Sequence, residues 1–261
     1  AEQKLESAEA ALRGAGPLPS QIDGIADQTR DTMGRIAAIR ATMAVNQNQV
    51  ETIIALSQRA LEYLRPDNLS FRTFTIWKLG YAYQLKGDRA AASRAYAEAI
   101  SISEASGNTI TIIAATLGLA DLQEQENQLR LAAQSYRRVL KLFGDQPLPL
   151  ANLAHLGLAH ICYEWNDPDA AQQHAQQSVQ LARRVADTGR FVTCEAFLAR
   201  LKLARGDVTG AAAILAETER SARGRNLATA LTEVAATQVL ILLRQGDLAA
   251  AARLAQTHDL P

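Results

Sequence analysis

Four histidines, two cysteines and a scatter of carboxylates are the residues of this chain best suited to chemistry, and their spacing argues against most of it. His155 and His160 are five residues apart, roughly 140° around a helix, so they miss the shared i, i+4 face that a zinc pair needs. Cys162 and Cys194 have no partner at metal-ligand or redox-motif spacing and read as packing thiols of a reducing compartment. Asp121 and Glu124 form a polar stripe of one helix more simply than an acid–base pair, and no serine or cysteine sits in a recognisable nucleophile motif. There is no Gly-Lys dipeptide, hence no phosphate-cradling P-loop. The expectation is a protein that is not an enzyme, with no catalytic residue, no metal and no cofactor of its own.

The elements that carry these residues are helices. Prolines are few, strand-like alternation is absent and the apolar residues fall on faces of period 3.6. A small residue in the middle of a helix recurs as Ala41, Gly80, Ala120, Ala159 and Ala199, and the column extends to Val239, in steps of 39 or 40. One residue beyond each such helix stands Asn48, Gly87, Asn127, Asn166, Gly206 or Gly246, the types that adopt a left-handed backbone most cheaply and so stop a helix. Next come Gln49, Asp88, Gln128, Asp167, Asp207 and Asp247, where an aspartate can cap a second helix, and Pro168 follows at a first helical position. Second helices carry a small column at Ala92, Ala132, Ala171, Ala211 and Ala251, then Tyr96, Tyr136, Ala175, Leu215 and Ala255, then Ala99, Val139, Ser178, Thr218 and His258. Glycines are expected to end second helices near Gly107, Gly144, Gly189 and Gly224.

A helix pair of this kind cannot bury both of its faces, so pairs must stack. The fold expected from spacing is an all-α superhelical solenoid of helix-turn-helix repeats with a period of about 40 residues; the order of small, aromatic and small residues at Trp77, Gly80, Tyr83, Ala92, Tyr96 and Ala99 resembles the tetratricopeptide repeat, which implies a right-handed solenoid of TPR-like units. Residues 1–20 read as the end of a preceding repeat or a linker helix, and 21–261 as the repeat domain, with repeats near 21–66, 67–107, 108–145, 146–188, 189–225 and 226–261. The last is truncated, as expected of a piece of a longer chain. HEAT-like repeats share the length but lack the turn column.

Such a stack is expected to bind in its concave groove, lined by outward positions of its first helices. The register projects Trp77, Leu117, Leu156 and Ala196 there, then Tyr81, Asp121, His160 and Arg200, and one turn on Gln84, Glu124, Tyr163 and Leu203. The candidate ligand-binding set is Trp77, Tyr81, Gln84, Asp121, Glu124, His160, Tyr163, Glu164 and Arg200, a mixture able to stack on and hydrogen-bond to a small polar ligand. A solvated face is the alternative for the whole set. Glu164 either bonds across repeats or faces the groove, and Trp165 is expected to pack over the neighbouring helix pair.

The stretch HLGLAHICYEWNDPDAAQQHAQQSVQLARR, from His155 to Arg184, resembles the repeat region of MalT-like, ATP-dependent regulators of the LuxR family, most specifically at Glu164, Trp165, Asn166 and Asp167. LGYAYQLKGDRAAASRAYAEAISISEASGN and LGLADLQEQENQLRLAAQSYRRVL are similar to the same region. The resemblance implies an effector-sensing domain of a transcriptional regulator, with ATP bound only in a missing N-terminal domain of the parent protein. It implies as partners a small-molecule inducer, self-association or other domains of the same regulator, and an inhibitory protein. A TPR-like scaffold for a protein or peptide with no small ligand is the alternative. Lysine plus arginine balances aspartate plus glutamate at 27 each, so this segment has no basic field for direct nucleic-acid contact. Without a secretory signal or a run of about 20 apolar residues it is expected to be cytoplasmic, with no membrane contact.

Overall fold

The protein is described by a computed structural model over residues 22–143, 150–184, 188–224 and 228–258. Among the described residues every regular element is a helix: α1 (Ile22–Asn46), α2 (Val50–Tyr63), α3 (Leu69–Lys86), α4 (Arg89–Ser106), α5 (Thr109–Gln125), α6 (Leu129–Phe143), α7 (Ala151–Glu164), α8 (Pro168–Ala182), α9 (Thr188–Ala204), α10 (Val208–Gly224), α11 (Ala228–Gln245) and α12 (Leu248–Thr257). Two compact units divide them, one ending at Ser135 and the other beginning at Tyr136. In the first, α1 pairs with α2 and α3 with α4; in the second, α7 pairs with α8, α9 with α10 and α11 with α12. Each unit is a stack of helix pairs, in which a first helix packs on its own second helix and on the second helix before it.

The turn column behaves as its chemistry requires. Asn48, Asn127 and Asn166 have φ of 52°, 58° and 57°, and Gly87, Gly206 and Gly246 have 83°, 83° and 81°. That left-handed step costs a β-carbon-bearing residue strain that asparagine and glycine tolerate best. The chain then re-enters a helix at once. Asp88, Asp167, Asp207 and Asp247 each accept a bond from the amide three residues on, at 3.0, 3.0, 2.8 and 2.9 Å. Each satisfies an orphan donor at an N-terminus, worth about 1 kcal/mol. Gln49 fills the same place without a side-chain cap bond. Gly107 ends α4 with φ 70°, whereas Gly189 does not end a second helix. α8 stops at Ala182, and Gly189 falls in the first turn of α9. Residues 1–20 and Gly144 lie outside the described residues.

Between one pair and the next, bulk is traded across two columns. The aromatic position of a second helix faces the residue two before the small column of the following first helix. Tyr96 is buried between Gly80 and Gly118, where added β-carbons would stand 2.7 and 2.4 Å from its ring. Tyr136 fills the hole at Gly157 in the same way, 2.2 Å from such a carbon. One repeat on, the volumes are reversed: the second helix holds Ala175, the following first helix holds Phe197, and both are buried in one core with Leu156, Ala159 and Leu201. The next junction pairs Leu215 with Thr237, both buried. At the first junction the columns hold Ser57 and Lys78. Lys78 donates to the Ala38 carbonyl (2.5 Å) and Thr42 Oγ1 (2.9 Å) and lies 4.8 Å from the centre of the Phe74 ring. Burial pushes its pKa down to about 8, because these neutral partners do not replace the water the ammonium has lost.

Candidate functional site

Unit 1 carries Trp77, Tyr81, Gln84, Asp121 and Glu124 on α3 and α5. Phe74, Trp77 and Tyr81 stack along one face of α3, with ring centres 5.1 and 6.2 Å apart and near-parallel planes. Trp77 also leans on the unit's core and is partly buried. The Tyr81 hydroxyl reaches Asn48 Oδ1 at 3.4 Å, a long bond. Below this ladder the polar residues are engaged with one another. The Tyr96 hydroxyl donates to Gln84 Oε1 (2.7 Å), Gln84 Nε2 donates to Asp121 Oδ2, and Gln125 Nε2 donates to the same oxygen (2.9 Å). The glutamine amide is thus oriented from both ends, and Glu124 lies partly buried one turn further along α5. Burial, then the Asp121 charge, pushes the Tyr96 hydroxyl far up, so it remains a donor at any ordinary pH.

Unit 2 carries His160, Tyr163, Glu164 and Arg200 on α7 and α9. Here the residues gather round an aromatic ring that sequence reasoning did not select. The His160 and Tyr163 rings lie 4.2 and 6.3 Å from the Phe197 ring, centre to centre, in edge-to-face arrangements with interplanar angles of 70° and 83°, while the Arg200 guanidinium stands 6.0 Å from the Phe197 ring centre. Tyr163, Glu164 and Arg200 are exposed, so this shelf offers aromatic edges, a carboxylate and a cation to solvent. The two columns continue into α11 as Leu240 and Leu243, 41% and 47% exposed. They were legible as the next members of the Arg200 and Leu203 columns.

Several projected positions face inward instead. Leu117, Leu156, Ala196 and Leu203 are buried, because the helices rotate those columns into the inter-pair contact. Trp165, expected to pack, caps the C-terminus of α7 with 43% of its surface exposed.

His155 has a partner on another helix. Its Nδ1 lies 3.0 Å from Nδ1 of His174 on α8, with ring centres 5.2 Å apart. One ring must donate and the other accept, which requires opposite tautomers and at least one neutral ring. Burial first and the neighbouring imidazole second push His155 down to about 4; burial and then Arg137 push His174 down. A spacing rule confined to one helix misses such a pair; comparing His155 with the facing helix would have found it. Cys162 and Cys194 are buried thiols, neither in a disulfide. Burial pushes the Cys162 thiol up, and Cys194 Sγ sits 2.9 Å from Ser178 Oγ. Among the described residues no cluster of three metal-ligating side chains occurs, and no helix is long and apolar enough to cross a membrane.

Stacked helix pairs with a left-handed turn column, a capping aspartate and small residues at the crossing define a tetratricopeptide-like repeat protein. The model of the MalT-like TPR region matches residues 34–261, and the chain belongs to that family. Solved structures agree on the fold. A Rap protein complexed with competence and sporulation factor superposes with a TM-score of 0.74 at 14% identity, over 99% of this chain and 69% of that one. The Rap conjugation gene regulator of plasmid pLS20, in complex with the Phr* peptide, gives 0.70 at 12% identity, over 97% and 72%. A signal transduction ATPase with numerous domains and a tetratricopeptide repeat sensor, from Pyrococcus horikoshii, gives 0.66 at 15% identity, over 88% of this chain and 36% of that one. No curated protein sequence matches.

Proposed function

We propose that this chain is the effector-sensing region of a MalT-like regulator of the LuxR family, that it takes a small-molecule inducer on the first-helix face of unit 2, and that it self-associates or contacts other domains of its parent. The observation that carries the reading is the shelf of His160, Tyr163 and Arg200 around Phe197, in a chain of the MalT-like family. The exposed Tyr163 ring, the Glu164 carboxylate and the Arg200 guanidinium, held in place by the buried Phe197 beneath, suit a small polar ligand with one flat face. The sensor role assigned to the repeats of the Pyrococcus protein supports it. On this reading the chain catalyses nothing, works in the cytoplasm, and leaves nucleotide and DNA to other parts of the parent; its sequence has no P-loop for ATP to occupy. An inducer acts by preferring one of two states of the regulator.

The test is a thermal-shift screen of the chain against a metabolite library, since a ligand that binds the native state raises Tm by mass action. A hit is expected, and its shift should vanish in Tyr163→Ala and Arg200→Gln, whose side chains are exposed and can change without unfolding the unit. A library without hits, or a hit indifferent to both substitutions, removes the reading of a small ligand on this face.

A second reading is a peptide as the occupant. It is favoured by the exposed Leu240 and Leu243 beyond the shelf, which extend the face as a row of apolar sites suited to alternate side chains of an extended segment. The Rap conjugation gene regulator solved with the Phr* peptide lends it support. Under it, Leu240→Ser and Leu243→Ser lower the affinity of a peptide selected from a random library, whereas metabolites have no effect.

A further inference from the structure

Two of the junctions between pairs carry a second, outer contact. The residue just before a turn glycine reaches back to the first turn of the preceding second helix. Lys86 Nζ lies 2.9 Å from Glu51 Oε1. Arg205, in the same column, bonds Asp169 and, at 2.5 Å, Gln172 Oε1. At the last junction the register supplies Gln245 opposite Thr209 and Ala212. An amide facing a threonine and an alanine forms no ion pair, and a groove of about 540 Å³ lies there between α10, α11 and α12.

Its floor is apolar: Leu215 and Ile241 are buried, Leu242 and Leu254 partly so. Two polar groups on its wall are already used, since Gln238 donates to Glu219 Oε2 (3.1 Å) and the Thr257 hydroxyl to the Arg253 carbonyl (2.9 Å). The Gln245 amide and the Arg253 guanidinium also line it, and among the described residues neither side chain has a hydrogen-bond or ion-pair partner. Residues 238, 241, 242 and 245 lie on the side of α11 roughly opposite Leu240, so this groove is separate from the first-helix face.

We infer that the groove is a binding site for a small amphiphilic carboxylate, whose apolar body lies on Leu215, Ile241 and Leu254 and whose carboxylate meets Arg253. The volume falls in the range of roughly 300–1,000 Å³ typical of small-molecule sites. The apolar floor penalises a wholly polar ligand, which would lose hydration without replacement. A guanidinium matches a carboxylate through two parallel hydrogen bonds, and the Gln245 amide serves a second polar atom. A ligand so held replaces the missing clamp and ties α11 and α12 to α10, as Arg205 ties α9 to α8.

The experiment is an NMR titration of ¹⁵N-labelled chain with 4-phenylbutyrate and with its neutral counterpart 4-phenylbutanol. Shifts are expected to concentrate on amides of residues 209–215, 238–245 and 250–257, with affinity about tenfold weaker for the alcohol and for Arg253→Gln. The double variant Thr209→Asp with Gln245→Arg rebuilds the clamp; it should melt no lower than the parent and no longer bind. Tyr163→Ala should leave the titration unchanged, which separates this site from the one proposed above. Absent shifts, equal binding of the alcohol, or undiminished binding by the rebuilt clamp overturns the inference.

Discussion

Unit 1 and unit 2 use one repeat template and present different faces, and the cause lies in which helix supplies the aromatic ring. In unit 1 the ring belongs to the second helix, as Tyr96, and glycines on the first helices make room for it. Its hydroxyl is then the only polar end, and it points at Gln84 and through it at Asp121. The outward face becomes a closed hydrogen-bond relay. Midway through unit 2 the ring moves to the first helix, as Phe197 opposite Ala175. From there it supports His160 and Tyr163 in edge-to-face contacts, and the same columns become an open aromatic shelf. A trade of volume in the core thus decides whether surface residues satisfy one another or are offered outward.

The largest expected effect is at the relocated ring. Phe197→Ala should cost about 3–5 kcal/mol in urea unfolding and also dissolve the shelf, since a fully buried phenyl is lost opposite an alanine that cannot fill the space. Next come the holes: Gly118→Ala and Gly157→Ala should each cost about 1–3 kcal/mol by driving a β-carbon into a tyrosine ring. The double change Tyr136→Ala with Gly157→Phe copies the Ala175 and Phe197 arrangement and should recover much of the loss, a coupling that a double-mutant cycle measures directly. If the double variant is as unstable as the sum of its parts, the trade is not what sets the difference between the units.

Tyr96→Phe should be milder, about 1 kcal/mol in urea unfolding, and should free Gln84 without disturbing the ring's packing. The smallest effect is a tilt with pH. The folded state holds His155 at about 4 and His174 below its usual value, so it binds fewer protons than the unfolded chain between these values and 6.5. Stability is therefore fully present above about 6.5 and declines as the pH falls toward 4. His155→Asn should flatten that decline in Tm recorded from pH 7.5 to 5, and Gly118→Ala, in the other unit, should leave its slope intact.

Much of the architecture was legible because local rules enforce it. A left-handed turn admits asparagine or glycine, an exposed helix start rewards aspartate, and a close crossing demands a small residue, so those columns state the period and the pairing directly. The site was less legible. Projection by register placed Tyr163 and Arg200 outward, where they are exposed, but it placed Leu117 and Leu156 outward as well, and these are buried, because the rotation of each first helix is set by its contacts with neighbouring helices and not by its own period. It could not see that Gln84 and Asp121 answer each other across α3 and α5, nor that His155 meets His174 across α7 and α8. Side chains 19 or 37 residues apart meet only through packing. One further signal was present and unused: the second-helix column and the facing first-helix column vary inversely in volume, from Tyr with Gly to Ala with Phe.

That inverse variation bears on how such a chain can change by duplication or exchange of its parts. The obvious module is the helix pair bounded by its sequence period, yet moving the pair that contains Phe197 to follow Tyr136 would set two rings in one space, and moving the pair that contains Gly157 to follow Ala175 would leave a void. The piece that carries its own fit is the second helix of one period together with the first helix of the next. Breakpoints that respect packing therefore fall in the tight left-handed turns at Asn166 and Gly206, inside the apparent repeat, and chimeras cut there should inherit working junctions from either parent.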